Sequence, residues 1–275
     1  MNRGVAQFGR APSLGGGCPR FKSLYPDFIN TISCICPMKI FLDTAEVDVI
    51  KRYMETGLVD GVTTNPTLIM KSGRDPVQVI EEICKLSHPS GDLQSVSAEV
   101  MGDYDEMCRQ AEVYANLFPE DMGEENAFPY ESMTIKVPCT PDGLRVCKYV
   151  TEVLQRKVNV TLVFSVAQAI LSAKAGAAYV SPFVGRCNDN SFSGVELIRA
   201  ISGTFRTHGV KTEILAASLR DVHHVSRCFL YGADVVTMPP AVLDKMYNHV
   251  LTREGMQLFQ EDYDKTLETY SPPSL

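Results

Sequence analysis

The sequence predicts an α/β protein built as a single TIM (β/α)8 barrel with a C-terminal helical tail. Three observations carry this. Short β-branched runs alternate with longer amphipathic stretches, the alternation repeats eight times between residues 38 and 239, and no GxGxxG follows the first run. Alternation of this kind implies βα units that feed a parallel sheet. Eight units in about 230 residues, without a dinucleotide fingerprint, fit a closed barrel better than an open doubly wound sheet. At 275 residues, 45% hydrophobic and 21% charged, the chain suffices for one barrel and is cramped for two full domains.

Residues 1–37 stand apart from the rest. Arg3, Arg10, Arg20 and Lys22 against Asp27 leave them at about +3, so the remainder carries about −10 of the overall −7. Gly15, Gly16 and Gly17, with four prolines, give no period of 2 or 3.6 that could bury a face. The string GRAPSLGGGCPRFKS resembles translated read-through of a transfer-RNA gene. The stretch is therefore expected to be a non-native or disordered extension, with Met38 as the start and residues 38–275 as the barrel. An organelle transit peptide is the alternative for so basic and acid-poor a leader.

From there the strands are expected at KIFLD (39–43), GVTT (61–64), VSAEV (96–100), MTIKVP (133–138), VNVTLVF (158–164), AYVSPF (178–183), TEILAAS (212–218) and DVVTMP (234–239). Helices between them include PVQVIEEICKL, DYDEMCRQAEVYANLF, PDGLRVCKYVTEVLQR, SVAQAILSAKAG and DVHHVSRCFLYG. Asp142, Ser165 and Asp221 precede apolar-periodic runs as N-caps, and Gly176 and Gly232 follow them as stops. The acidic stretch at 119–129, with two prolines, reads as an exposed insertion, and 247–275 supplies the tail.

The net charge of −7 offers no footing for nucleic acid, although a few arginines can still receive a small anionic metabolite. No apolar run reaches the roughly 18 to 20 residues that a membrane span needs. Nine cysteines lie scattered without zinc-site spacing, Cys34 and Cys36 being too close and alone. They read as reduced thiols, and the expected location is cytoplasmic.

A barrel places its chemistry at the C-terminal ends of strands. Asp43 ends the first strand, Asn65 follows the second, Glu99 nears the end of the third and Lys136 lies late in the fourth. Between Ile135 and Val137, Lys136 alternates toward the barrel interior. Burial strips hydration from an ammonium and favours the free amine that attacks a carbonyl. An outward lysine, or one paired to Asp43 or Glu99 for structure alone, is the alternative reading. Those two acids can move protons wherever hydrogen-bond reach allows, or can simply balance the lysine. Asn65, Asn159, Thr161 and Ser181 suit sugar hydroxyls, although each singly suits a cap or a turn as well. Arg186 and Arg220, with Ser218, follow late strands, where barrel phosphate sites gather; either arginine alone could be an ordinary surface residue. His223 and His224 are adjacent and lack the i, i+4 spacing of a helical metal pair, and the methionines and cysteines on helices read as packing.

FLDTA (41–45), GVTTNPTL (61–68), IKVP (135–138), VTLVFSVAQA (160–169), AGAAYVSPFVGR (175–186) and LAASLR (215–220) resemble, in order, the transaldolase and fructose-6-phosphate aldolase family. The resemblance covers residues 38 to about 264. It implies that Lys136 forms a Schiff base with a ketose, that Asp43 takes the hydroxyl proton during carbon–carbon cleavage, and that Glu99 holds a catalytic water with Thr161. It further implies that Asn65, Asn159 and Ser181 bind the dihydroxyacetone part and that Arg186, Ser218 and Arg220 bind phosphate. Transaldolases usually carry Glu and Phe where fructose-6-phosphate aldolases tend to carry Gln and Tyr, and Glu99 and Phe183 occupy those positions. The implied reaction transfers dihydroxyacetone from sedoheptulose 7-phosphate or fructose 6-phosphate to an aldose phosphate, in the pentose phosphate pathway. No metal or organic cofactor is expected, because the lysine is the electron sink. A lyase releasing dihydroxyacetone, and a non-catalytic phosphosugar-binding barrel, are the alternatives. Small members of the family often form pentamers or decamers by C-terminal helix exchange, which implies a homo-oligomer.

Overall fold

The computed structural model describes residues 38–86, 93–117 and 132–269. The leader at 1–37, Cys34 and Cys36 with it, and the expected insertion at 119–129 lie outside these. Eight parallel strands close in sequence order: β1 (Lys39–Asp43), β2 (Gly61–Thr63), β3 (Ser95–Glu99), β4 (Met133–Pro138), β5 (Lys157–Val163), β6 (Tyr179–Pro182), β7 (Glu213–Ala216) and β8 (Val235–Met238), with β8 pairing back to β1. Helices α1 (Val47–Met54), α2 (Pro66–Ser72), α3 (Pro76–Leu86), α4 (Tyr104–Ala115), α5 (Pro141–Glu152) and α6 (Val166–Lys174) surround the first half. The second half carries α7 (Val184–Asp189), α8 (Gly194–His208), α9 (Val222–Leu230), α10 (Pro240–Tyr247) and the tail helix α11 (Val250–Thr269). The chain is thus the TIM barrel that its alternation predicts. Among the described residues, no helix is long and apolar enough to cross a membrane.

Two strands carry a backbone irregularity that the alternation did not predict, one within β5 and one just past β7. β5 carries a register shift between Val160 and Val163, with Leu162 at φ 58°, and β7 stops before Ser218, which sits at φ 60°. The left-handed region breaks the pleat and is costly for residues with a Cβ. Ser165 and Asp221 cap α6 and α9 by accepting from the N–H groups of Gln168 and His224. Asp142 does not cap α5. Thr140 does, accepting from Gly143 N–H at 3.0 Å ahead of Pro141, because the cap must precede the first helical residue. Asp142 instead lies in the first turn and holds Arg145. Gly176 and Gly232 follow their helices at φ 90° and 92°.

Strand alternation divides the buried side chains between two cores. Leu42, Val62, Val96, Ile135, Val158, Val180 and Val236 pack with helix residues such as Ile80, Val146 and Ile198. Each such buried side chain contributes roughly 1.5–3 kcal/mol. Inside the barrel, one half is apolar: Phe41, Tyr179, Leu215, Ala217 and Val235 cluster, with the Phe41 and Tyr179 rings edge-on at 6.1 Å. The other half is polar and hydrogen-bonded, with Ser95 to Thr134 at 2.8 Å and Asn159 to Ser97 at 3.4 Å. At the strand N-termini, Lys39 grips both oxygens of Glu213 at 2.8 Å.

Candidate active site

The register of three strands sets the centre of the site. Glu99, Lys136 and Asn159 are Cα partners across β3, β4 and β5, so their side chains project at one level. Lys136 is 5% exposed; its Nζ lies 2.9 Å from Glu99 Oε2 and donates to the Thr64 carbonyl at 3.0 Å. A buried amine and a buried carboxylate compensate each other here, and the pair can pass a proton directly. The lysine faces the barrel interior, as its position between Ile135 and Val137 predicts.

Asp43 comes from β1, in register with Thr63 of β2. The Thr63 hydroxyl donates to Asp43 Oδ1 at 2.8 Å, so the Thr237 hydroxyl, 2.6 Å away, donates to Thr63. Burial raises the Asp43 carboxyl above the ordinary aspartate range, against the opposing pull of Lys136 and of the Thr63 hydrogen bond. Thr63 and Thr237 were not foreseen as part of this site. The signal was available: both share the inward phase of their strands with Asp43, in GVTT and VVTM.

A cavity of about 130 Å³ at the C-terminal mouth brings together Asp43, Asn65, Lys136 and Ser181 with Phe183, Arg186 and Ser218. Asn65 also caps α2, its Oδ1 accepting from Leu68 N–H at 3.0 Å, which leaves its amide N–H2 as a donor end without a partner among the described residues. Ser181 donates to Asn159 Oδ1 at 2.6 Å. Asn159 does not line the cavity; it is buried behind Ser181 and fixes that hydroxyl. Thr161 is likewise fully buried, and among the described residues its hydroxyl has no hydrogen-bond partner. A polar group so placed calls for a water or ligand.

Glu99 opens elsewhere. It lines a cleft of about 650 Å³ between α2, α3 and α4, and Asn65 borders both spaces. The Lys136–Glu99 pair therefore forms part of the wall between the two. A third cleft, of about 700 Å³ between α6 and α8, contains none of the expected site residues.

The two arginines behave differently. Arg186 reaches the cavity with its guanidinium 5.1 Å from the Phe183 ring centroid, and that ring meets Phe164 edge-on at 5.8 Å. Arg220 does not line the cavity; its fork holds Asp189, each contact 2.6 Å. Asp189 was not singled out from the sequence, and nothing local in VGRCND marks it. His224 joins Asp221 and Asn188 rather than His223, consistent with a structural role.

Comparison with known proteins supplies an independent line. Residues 40–271 match the family described as transaldolase/fructose-6-phosphate aldolase. The chain is 46% identical over 230 residues to a protein of Paracoccus denitrificans named "Probable transaldolase", covering 83% of this chain and 98% of that one. A protein of Cereibacter sphaeroides with the same name is 45% identical over 233 residues, covering 84% and 98%. The solved structure of a thiamine phosphate pyrophosphorylase from Pyrococcus furiosus superposes with a TM-score of 0.50 at 16% identity, over 75% of this chain and 87% of that one, a likeness of fold alone.

Proposed function

The chain belongs to the transaldolase/fructose-6-phosphate aldolase family, and from that premise we propose that it is a transaldolase using Lys136 as a Schiff-base nucleophile on phosphorylated ketoses. The observation that carries the reading is the buried Lys136 beside Glu99, with Asp43 facing the same cavity. Glu99 takes the ammonium proton, and the free amine attacks the ketose C2 carbonyl. Protonation of the resulting carbinolamine hydroxyl expels water and leaves the iminium, with Glu99 and the Thr161 hydroxyl holding the water that moves the proton. Asp43 then removes the C4 hydroxyl proton as the C3–C4 bond breaks. The bonding electrons pass into the iminium, and the aldose departs. The three-carbon enamine adds to the carbonyl carbon of a second aldose phosphate, Asp43 returns its proton, and hydrolysis frees the lysine.

The remaining residues position the substrate. Asn65 and Ser181 meet the hydroxyls of the dihydroxyacetone part, with Asn159 fixing Ser181. Arg186, Ser218 and Arg220 receive the phosphate. Phe183 offers no phenol to protonate the enamine, which favours transfer to an acceptor over release of dihydroxyacetone.

Borohydride reduction in the presence of fructose 6-phosphate is expected to add the mass of a reduced dihydroxyacetone adduct to the peptide containing Lys136. Lys136→Arg is expected to lose activity by roughly 10³-fold or more, the scale of a missing nucleophile. Turnover of fructose 6-phosphate should require erythrose 4-phosphate. Absence of the adduct would sink the Schiff base, and acceptor-independent release of dihydroxyacetone would make the enzyme a lyase.

We place the enzyme in the cytoplasm, in the pentose phosphate pathway, since Cys84, Cys108, Cys139, Cys147, Cys187 and Cys228 are all free thiols. We further assign it a pentameric or decameric assembly. The support is α11, whose Leu251, Met256, Phe259 and Tyr263 are exposed, in a chain resembling helix-exchanging relatives.

A further inference from the structure

We propose that Asp189 is a positioning residue for phosphate recognition, gripping one edge of the Arg220 guanidinium so that its Nε edge is presented to the anion beside Ser218. This rests on the phosphate site put forward above.

Asp189 ends α7, one turn after Arg186 on the same helix, while Arg220 follows β7. Oδ1 accepts from Nη1 and Oδ2 from Nη2, both at 2.6 Å. This end-on grip consumes two of the five guanidinium N–H groups and leaves Nε–H available. Gly185 reports where that edge points. A Cβ built there would lie 3.1 Å from Arg220 Nε, 3.0 Å from Ser218 Oγ and 2.2 Å from Ser218 O. Ser218 Oγ and Arg220 Nε therefore lie together against the Gly185 backbone, whose N–H donates to the Ser218 carbonyl at 3.1 Å, and a side chain at this position would push into both. Among the described residues, neither Arg220 Nε nor Ser218 Oγ has a hydrogen-bond partner.

Both members of the Asp189–Arg220 pair are about half exposed, at 47% and 56%, and exposed pairs add little to stability. What the pair supplies is direction. An untethered arginine would lose rotamer freedom each time phosphate bound, and that loss falls on affinity rather than on the chemical step. Removing a carboxylate also removes repulsion of the anion, so the sign of the effect is informative.

Asp189→Asn and Asp189→Ala test this in the full chain. With fructose 6-phosphate and erythrose 4-phosphate, the donor KM should rise about fivefold to twentyfold while kcat stays within about twofold. Inhibition by inorganic phosphate should weaken in parallel, and Asp189→Glu should recover part of the loss. With unphosphorylated fructose and glyceraldehyde, kcat/KM should be unchanged. An unchanged or lower KM for fructose 6-phosphate would overturn the proposal, as would an equal loss on the unphosphorylated pair. Failure of the underlying reading looks different: the wild-type chain would give no borohydride adduct, or Arg186→Ala would spare the fructose 6-phosphate KM.

Discussion

Asp43 is held in a state that opposes folding at neutral pH. Burial raises its folded pKa above the unfolded value, more than Lys136 and Thr63 pull it back. An acid shifted in this direction contributes stability while protonated, below the unfolded pKa, and loses it as pH rises through the folded pKa. Asp43→Asn should therefore raise the thermal midpoint at neutral pH, the gain shrinking as pH is lowered toward the ordinary carboxylate range. Activity should fall by about 10²–10⁴-fold in the same variant, the loss expected for a general acid–base group. Calorimetry and a transfer assay across pH would check both halves. At this scale, strand phase made much of the site legible: Asp43, Lys136 and Ser181 could be read as inward from alternation alone. The Arg220–Asp189 pair could not, because it depends on how the end of α7 and the segment after β7 meet in space. Nor could the position of Asn159 behind Ser181, which follows from the level that each strand reaches in the barrel.

Elements place these residues, and close backbone approach sets some of their limits. Gly61 of β2 lies against the Phe41 ring: an added Cβ would come within 2.6 Å of the Ser95 carbonyl and 2.7 Å of the ring. Gly61→Ala should cost about 1–3 kcal/mol, the range for overpacking a filled core, measurable by denaturant unfolding. It should also disturb Asp43, which shares β1 with Phe41. The eight strands were legible to within two residues at either end, since β-branched runs and their punctuation are local signals. The bulge at Leu162 and the left-handed Ser218 were not, because neither residue type favours that backbone; tertiary contacts impose it. The N-cap of α5 was misread as Asp142 because an acid in a first turn and a true cap look alike in sequence.

For the molecule as a whole, the tail helix and the barrel have separate accounts. α11 leaves Leu251, Met256, Leu258 and Phe259 exposed, whereas the barrel completes its core with residues up to Leu243. A chain ending at Tyr247 should keep a cooperative thermal transition within about 2–4 °C, the shift that ~1 kcal/mol produces in a domain of this size. Native mass spectrometry should find it monomeric, with the proposed pentamer or decamer formed by the full chain alone. An intact oligomer from the shortened chain would exclude the helix as the connector.

The floor of the barrel settles the traffic. Lys39 and Glu213 close the strand N-termini, and Phe41, Tyr179, Leu215 and Val235 fill the apolar half above them. The chamber that Lys136 faces opens at the C-terminal mouth, and among the described residues this packing lies beneath it. In the proposed reaction the donor sugar, the aldose it sheds and the acceptor that follows share that mouth, so the first product should clear it before the second substrate arrives. Alternation of partners, a ping-pong order, is then a matter of plumbing as much as of covalent chemistry.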